Sequence, residues 1–257
     1  MRNGNLEKPL LSEQADSQES VPDVRQDEVE RIHLAYQRRN RASGPDRYSI
    51  FQADALYGLQ ERERQVIRAL KASGIDHLSA QKVLDVGCGF GYGLRQFIQW
   101  GAQPVNLFGI DLLPERIAVA RQLCPSQVTL LEGNGDKLPW NDNTFDIVAQ
   151  STVFTSILDA DMKRRLAQEM MRVLKPNGIV LWFDFRLNNP RNPDVRGIGK
   201  REVRRLFHGC SVQFWTMMFL PPLARVVAPW SLLLVEFLGK LPLLCSHYVA
   251  VVRKPLP

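Results

Sequence analysis

The sequence has few cysteines and none of the spacings that cysteine needs for metal or disulfide chemistry. Cys88, Cys124, Cys210 and Cys245 are the four cysteines in 257 residues, with no C-x-x-C pair and no histidine at ligand spacing. This pattern argues against a zinc site and a disulfide scaffold, and it is typical of reduced thiols in a cytosol.

Long apolar runs are also missing. No stretch reaches the roughly 18 apolar residues of a membrane-spanning helix, and the first residues contain no apolar segment of a signal peptide. Hydrophobic residues make up 45% and charged residues 23% of the chain, as in ordinary globular proteins. We therefore expect a cytoplasmic protein that consists of one α/β domain with additions.

Charge is distributed unevenly along the chain. Residues 1–30 carry three Lys/Arg and eight Asp/Glu, whereas residues 186–257 carry eleven and three. The basic C-terminal third favours an anionic partner: a nucleic acid, a phosphate-bearing substrate or a membrane surface. The alternative is that these residues form solvated basic faces without a partner. No interleaving of aromatic and basic residues supports nucleic acid, so we expect none. Residues 1–27 are acidic and unpatterned, which predicts a disordered tail.

Apolar spacing predicts two helices followed by an alternating region. Helical patterns cover Asp27–Arg41 and about residues 53–73. The predicted strands are Lys82–Gly87, Val105–Ile110, Val128–Glu132, Phe145–Gln150, Ile179–Phe185, Ser211–Leu220 and His247–Arg253. Strands that alternate with helices of 10–15 residues predict an α/β fold with a seven-stranded, mostly parallel sheet and helices on both faces. We expect a single domain over residues 28–257: a helical cap (28–78), a cofactor-binding core (79–186) and a C-terminal part (187–257).

A glycine-rich turn, Asp85-Val86-Gly87-Cys88-Gly89-Phe90-Gly91, follows the first predicted strand. Glycine permits a tight strand-to-helix turn in which a ligand lies against the backbone. A dinucleotide-binding turn requires G-x-G-x-x-G, but Tyr92 stands three positions after Gly89 and that register fails. A carboxylate two positions before the first glycine suits a ligand that carries an amino group.

A second carboxylate, Asp111, ends the second predicted strand. A carboxylate at this place can accept hydrogen bonds from both hydroxyls of a ribose. The alternative is a helix cap ahead of Pro114. Together with the glycine turn, the position favours ribose.

Four segments resemble one known family in order and spacing. They are VLDVGCGFG, FGIDLLPERI, EGNGDKLPWNDNTFDIV and VLKPNGIVLWFD. Over residues 80–186 the sequence resembles the class I S-adenosylmethionine-dependent methyltransferases, and more closely their small-molecule branch. The resemblance implies a Rossmann-like fold, S-adenosylmethionine as cofactor and an enzyme that transfers its methyl group.

The same resemblance implies roles for individual residues. Asn134 stands where the family often has Asp, and Gly135 where it often has Ala. The methionine part would contact Asp85, Gly87, Cys88, Gly89 and Gly91; the ribose, Asp111; the adenine, Leu112, Asn134 and Gly135; the sulfonium and the substrate, Gln150 and Ser151.

The acceptor is less defined. Gln150-Ser151-Thr152-Val153 lacks the Asn/Asp-Pro-Pro-aromatic sequence of family members that methylate amide or base nitrogens, so oxygen, carbon or amine acceptors remain. O-methylation calls for a general base. We predict Asp184 for this role, and His33 because an N-terminal helix often closes over the site in the family.

Polar residues after the fifth predicted strand are expected to bind a polyhydroxylated acceptor. They are Arg186, Asn188 and Asn189. A structural ion pair between Asp184 and Arg186 is the alternative.

Residues 221–246 form an apolar helical insertion between the last two predicted strands. Leu223–Ala228 and Ser231–Leu241 are largely apolar. A helix that is apolar nearly all round is buried or meets lipid, and about 10 residues cannot span a bilayer. With Lys200, Arg201, Arg204 and Arg205 expected nearby, this indicates peripheral contact with the inner face of a membrane. A homodimer interface or a lid packed on the sheet are the alternatives.

The stretches FDFRLNNPRNPDVRG and PPLARVVAPWSLLL also resemble methyltransferases encoded with bacterial surface-polysaccharide enzymes. That resemblance implies O-methylation of a sugar, a glycan or a lipid-linked small molecule. One alternative is C-methylation of a quinone-like lipid precursor. Another is an inactive membrane-associated binding protein on the same fold.

Overall fold

The computed structural model describes residues 24–42, 49–189 and 192–254. The predicted tail, residues 1–27, lies outside these ranges except for its last four residues. Those belong to helix α1 (Val24–Ala42), which begins ahead of the helix expected at Asp27.

A seven-stranded sheet forms the centre of the molecule. Its strands are β1 (Val83–Val86), β2 (Leu107–Asp111), β3 (Thr129–Glu132), β4 (Phe145–Ser151), β5 (Leu174–Phe185), β6 (Ser211–Phe219) and β7 (Cys245–Arg253). The strand order is β3-β2-β1-β4-β5-β7-β6, and β7 alone runs antiparallel to its neighbours. The predicted mostly parallel sheet is confirmed.

Strand β5 begins earlier than the sequence indicated. Leu174 already pairs with Phe145, and after a register shift the pairing resumes between Ile179 and Ile147. Residues 175–178, which precede the strand predicted from Ile179, therefore bulge out within the strand.

Helices cover both faces of the sheet. The remaining ones are α2 (Ala53–Ala72), α3 (Tyr92–Gln99), α4 (Pro114–Leu123), α5 (Ala160–Val173), α6 (Lys200–Leu206), α7 (Pro221–Val227) and α8 (Leu232–Leu238). A hydrophobic core lies between the sheet and the helices on each face. The first core contains buried residues of α2, α3 and α4, and the second contains buried residues of α5 and α6. Because side chains alternate along a strand, Val83 enters the first core and Leu84 the second.

The amphipathic pattern of α5 shows how sequence spacing placed a helix. Met162, Leu166, Met170 and Val173 recur at helical spacing and are all buried. Asp159 caps the helix, since its carboxylate accepts a 2.6 Å hydrogen bond from Met162 N.

Helices α7 and α8 lie between β6 and β7 and form the insertion. It packs on the α2 side through a small core that includes Tyr57, Phe219 and Val235. Because β6 runs parallel to β1–β5, the insertion follows its carboxyl end. It therefore lies at the same edge of the sheet as the glycine turn.

One expectation about the insertion is corrected by the structure. The basic helix α6 packs with α5 on the opposite face from α2, where Lys200 Nζ and Arg204 Cζ lie 5.3 and 5.2 Å from the Phe214 ring centroid. The sheet therefore separates the body of this basic helix from the apolar insertion.

Candidate functional site

The glycine turn is fastened to the end of the neighbouring strand. Gly87 N and Cys88 N both donate to the carbonyl of Ile110, at 2.8 and 3.1 Å. Gly91 N donates to Cys88 O at 2.9 Å. These backbone groups are thus used to shape the turn, and the ends of β1 and β2 form one rigid unit.

Asp111 lies at the centre of this unit and is buried. Its Oδ2 accepts from Gly89 N at 2.8 Å, and its Oδ1 accepts from Leu113 N at 3.0 Å. Each carboxylate oxygen retains a lone pair after these bonds. The cap position of α4 is Leu113, so Asp111 is not the helix cap of the alternative interpretation. Its fixed oxygens suit a pair of ribose hydroxyls.

The three glycines of the turn differ in what surrounds them. All have positive φ, and a Cβ on Gly87 would stand 2.3 Å from Val153 Cγ2, while one on Gly91 would stand 2.5 Å from Cys124 Sγ. A Cβ on Gly89 would meet nothing nearer than Arg116 Nη1 at 3.8 Å. Gly87 and Gly91 therefore accommodate the protein's own packing, whereas Gly89 leaves room for a ligand.

Cys88 points away from that room. Its Sγ would lie 2.8 Å from a Cβ on Gly109, so the thiol packs beneath the turn. Burial raises the pKa of this thiol above its usual range. Cys88 is therefore a neutral packing residue whose backbone belongs to the turn.

Asp85 faces a cation that the sequence analysis missed. The Arg62 guanidinium of α2 lies 4.7 Å from the Phe183 ring centroid and 5.8 Å from that of Tyr92, close enough to Asp85 to influence it. Burial raises the pKa of Asp85 to about 7; Arg62 opposes this rise and Asp111 adds to it.

Arg62 and Asp85 together match an amino-acid zwitterion. Arg62 Nε is enclosed and has no hydrogen-bond partner among the described residues. A guanidinium can bind a carboxylate, and the Asp85 carboxylate can accept from an ammonium. This charge arrangement fits the methionine part of S-adenosylmethionine. The sequence did not indicate a binding role for Arg62, because the run E-R-E-R at residues 61–64 is typical of a solvated helix face.

The residues predicted for the adenine occupy the loop after β3 and the end of β2. Leu112 is partly buried against the core. Asn134 Oδ1 accepts from Asp136 N at 3.1 Å, so one lone pair of the expected acceptor is used within its own turn. A Cβ on Gly135 would stand 2.8 Å from Leu166 Cδ1, which gives this glycine a packing role too. Their contacts with adenine stay a prediction.

Gln150 is a brace for the loop after β4. It is buried; its Oε1 accepts from Val153 N at 3.1 Å, and its Nε2 donates to Phe183 O at 3.3 Å. These bonds hold Val153 against Gly87. Ser151 is half-buried at the end of β4. Contact of either residue with the sulfonium stays a prediction.

Asp184 is fully buried on the α5–α6 face of the sheet. Its Oδ1 accepts from Thr155 Oγ1 at 2.6 Å and from Phe185 N at 3.1 Å, and burial raises its pKa to about 7. The ion pairs between described side chains do not include one between Asp184 and Arg186. A role as base stays a prediction, and this carboxyl group has no surface open to a substrate.

Helix α1 crosses the carboxyl edge of the sheet as the sequence suggested. Glu28 Oε1 accepts from Leu158 N at 2.6 Å, and Arg31 Nη2 donates to Ser156 O at 2.6 Å. The Tyr36 ring centroid lies 4.0 Å from Arg116 Cζ, next to the glycine turn. His33 is half-buried on this helix, and its role as a base stays a prediction.

The predicted substrate-binding residues lie in the loop after β5. Asn188 Oδ1 accepts from Gly197 N at 2.9 Å, and Asn189 O accepts from Asn192 N at 3.0 Å. Arg186 N donates to Ser246 O at 2.9 Å. These bonds shape the loop, and contact with a substrate stays a prediction.

His247 is a further residue near the site that the sequence analysis did not single out. It lies on the Asp85 side of β7, stacked on Phe183 with ring centroids 5.3 Å apart, and its Nδ1 is 2.7 Å from Ser246 Oγ. Burial, with a smaller effect of Arg62, lowers its pKa to about 4. The imidazole is therefore neutral at pH 7.

Comparisons with known proteins agree with this geometry. The sequence profile described as a methyltransferase domain matches residues 84–182. The demethylmenaquinone methyltransferase of Bacillus mycoides is 25% identical over 165 residues, 63% of this chain and 65% of that protein. The 2-methyl-6-phytyl-1,4-hydroquinone methyltransferase of Synechocystis is 31% identical over 137 residues, 52% of this chain and 41% of that protein. The matches thus span less than two thirds of these relatives' own lengths.

Solved structures share the fold. An S-adenosylmethionine-dependent methyltransferase from Mesorhizobium loti aligns with a TM-score of 0.52 and 21% identity, covering 72% of this chain and 96% of that one. The predicted Rossmann-like fold and the predicted cofactor, S-adenosylmethionine, are confirmed. Residues 84–182 therefore match the methyltransferase-domain family, and the chain shares its fold with S-adenosylmethionine-dependent methyltransferases.

Proposed function

We propose that this chain transfers the methyl group of S-adenosylmethionine to a ring carbon of a small, lipid-linked acceptor of the hydroquinone type. The observation that carries methyl transfer is the carboxylate of Asp111, fixed by Gly89 N and Leu113 N beside the open face of Gly89. Its two oriented oxygens support the binding of a pair of ribose hydroxyls.

Different residues of the site would bind different parts of the donor. Asp85 and Arg62 offer charges opposite to those of the ammonium and the carboxylate of methionine. Helix α1 lies over the edge beside the turn, where Tyr36 stacks on Arg116, and would shield a bound donor from water. When bound, S-adenosylmethionine supplies a methyl group on a positively charged sulfur, which any sufficiently electron-rich acceptor atom can attack.

The lipid-linked acceptor is supported by the apolar insertion at the same edge of the sheet. It is also supported by the relatives that act on a demethylmenaquinone and a phytyl hydroquinone. Among the acceptors that the sequence left open, a free sugar or glycan receives less support, because Asn188 is engaged within its own loop.

The position of Asp184 favours a carbon over an oxygen as the acceptor atom. O-methylation of an alcohol calls for a base within hydrogen-bond reach of the hydroxyl, and Asp184 is enclosed beneath Thr155. A hydroquinone ring carbon is made electron-rich by the ring's own hydroxyl groups, and the proton that it would lose on methylation can pass to solvent, so no base has to lie within reach of a hydroxyl.

The first test is calorimetric titration of the pure chain with S-adenosylmethionine. Binding is expected in the wild type and in Asp142→Ala, a control whose exposed carboxylate pairs with Arg172. Absence of binding in the wild type would overturn the proposal.

The acceptor is tested with methyl-labelled donor and two substrates, a hydroquinone with an apolar chain and a glycan extract. Labelled product from the hydroquinone, with the label on a ring carbon by NMR, is expected. Label on oxygen contradicts the carbon acceptor. Product from the glycan extract alone contradicts the lipid-linked acceptor.

A further inference from the structure

The insertion exposes far more apolar surface than its packing requires. Its inner side is small and already covered, because Ala224, Ala228 and Val235 pack against Tyr57 and Phe219. Its outer side carries nine large apolar residues between Leu223 and Leu243, each from 46% to 89% exposed. We call this outer side the insertion surface. A lid packed on the sheet would leave these outward side chains without a role.

The size of the insertion surface separates it from ordinary scattered exposure. The largest apolar patch on a typical monomer is roughly 300–600 Å² and often functional. Nine large apolar side chains that are each about half or more exposed together present at least roughly the area of such a patch. The most exposed members are Trp230 in the turn between α7 and α8, Leu233 on α8 and Leu243 after it.

The insertion surface and the glycine turn lie at the same edge of the sheet, and β4, β5 and β7 stand between their strands. The insertion follows the carboxyl end of β6, so it lies at the edge that holds the glycine turn. Arg225 Nε is 3.2 Å from Asp54 Oδ2, which ties α7 to the start of α2. Phe51, the residue two before α2, is almost fully exposed on the same edge. The insertion surface and the site thus open in one direction.

Charge favours a lipid bilayer over a second copy of the chain. Arg225 is already paired with an aspartate of α2, and Lys240 is offset by Glu236. The positive charge at this edge therefore comes from exposed Arg39 and Arg41 of α1. A two-fold dimer through the insertion surface would give these cations no anionic partner. Anionic phospholipid headgroups complement them, while the apolar side chains enter the acyl region.

We propose that the insertion surface docks the protein on an anionic bilayer, with Trp230 and Leu233 inserted and α7–α8 lying in the plane of the interface. No helix in the described ranges is long and apolar enough to cross a membrane. The docking is therefore one-sided. Delivery of a lipid-linked acceptor from the bilayer rests on the proposed function, whereas the docking itself does not.

Co-sedimentation of the full chain with vesicles tests the docking. One vesicle set is phosphatidylcholine alone, and the other contains phosphatidylglycerol as well. The test variant is Trp230→Ser with Leu233→Ser. The control is Val105→Ser, which removes a side chain that is 64% exposed just before β2, at the opposite edge of the sheet.

Wild type and control are expected to pellet with the anionic vesicles, and the double variant is expected to partition at least about tenfold more weakly. Equal pelleting of the double variant, or no pelleting of the wild type, would overturn the proposal. So would a dimer in sedimentation velocity that the double variant abolishes, because the insertion surface would then belong to a second copy.

Two further measurements separate this proposal from the proposed function. The double variant is expected to bind S-adenosylmethionine as the wild type does. Its turnover should fall about tenfold or more on an acceptor embedded in vesicles and stay within about twofold on the same acceptor in detergent. Vesicle binding without any donor binding would leave the docking intact and remove the methyltransferase proposal. An equal loss of turnover in detergent would contradict delivery from the bilayer.

Discussion

The two halves of the sheet hold their functional groups by different means. At β1 and β2, backbone N–H groups fix the site, since Gly89 and Leu113 bind Asp111 while Gly87 and Cys88 bind Ile110 O. At β5–β7, side chains from distant segments meet, as Thr155 does with Asp184 and Phe183 with His247. The first kind of site follows from a short stretch of sequence. The second depends on how the whole sheet packs.

The largest effect is expected from Asp111→Ala. Two charge-assisted hydrogen bonds to the ribose would be lost, and the Kd for S-adenosylmethionine should rise about 100-fold or more. Calorimetry measures this, with Asp142→Ala as the control. A change below about threefold would show that Asp111 braces the turn without touching the donor.

Gly87→Ala should destabilise the fold by about 2–4 kcal/mol. The cost of an alanine at positive φ adds to the cost of the clash between its Cβ and Val153. The matched control is Gly74→Ala, which has a similar φ of 75° and nothing within 4 Å of the added Cβ. The control should cost only about 1–2 kcal/mol. Urea denaturation measures both, and equal losses would show that Val153 moves aside freely.

Asp184→Asn probes the other half of the sheet through pH. Burial raises the pKa of Asp184 to about 7, so the folded state holds a proton that the unfolded state releases near pH 4. This contribution to stability is fully present below about pH 4 and is lost as pH rises toward 7.

In Asp184→Asn the free energy of unfolding should not fall in this way as pH rises, because the amide does not titrate. Between pH 5 and pH 8 the wild type should lose about 2 kcal/mol more of its free energy of unfolding than Asp184→Asn does. Urea denaturation at both pH values measures the difference, and Asp142→Asn serves as the exposed control. Parallel pH profiles for wild type and Asp184→Asn would contradict a buried, protonated Asp184.

Asn188→Ala should have the smallest effect. It removes the hydrogen bond from Gly197 N and should cost about 1 kcal/mol of stability. KM for the acceptor should stay within about twofold if the residue only shapes its loop. A large rise in KM with unchanged stability would restore the substrate-binding role predicted from the sequence.

Much of the fold was accessible from the sequence, and the reasons are local. Helix α5 can be predicted because helical periodicity depends on residues within a single segment. The buried residues that show this spacing are Met162, Leu166, Met170 and Val173. The failure of a dinucleotide register at Tyr92 also lies within one turn. The start of β5 at Leu174 was missed because a bulge over residues 175–178 has the composition of a turn.

The sequence by itself determined the features that predict donor binding. These are the order of the strands along the chain, the turn from Asp85 to Gly91 and the carboxylate of Asp111. Only the tertiary structure placed Arg62 beside Asp85, enclosed Asp184 and put α6 on the other face from the insertion. Glycine conformation and strand periodicity are set by neighbours along the chain. The charge, burial and exposure of a side chain are set by whichever elements pack against it.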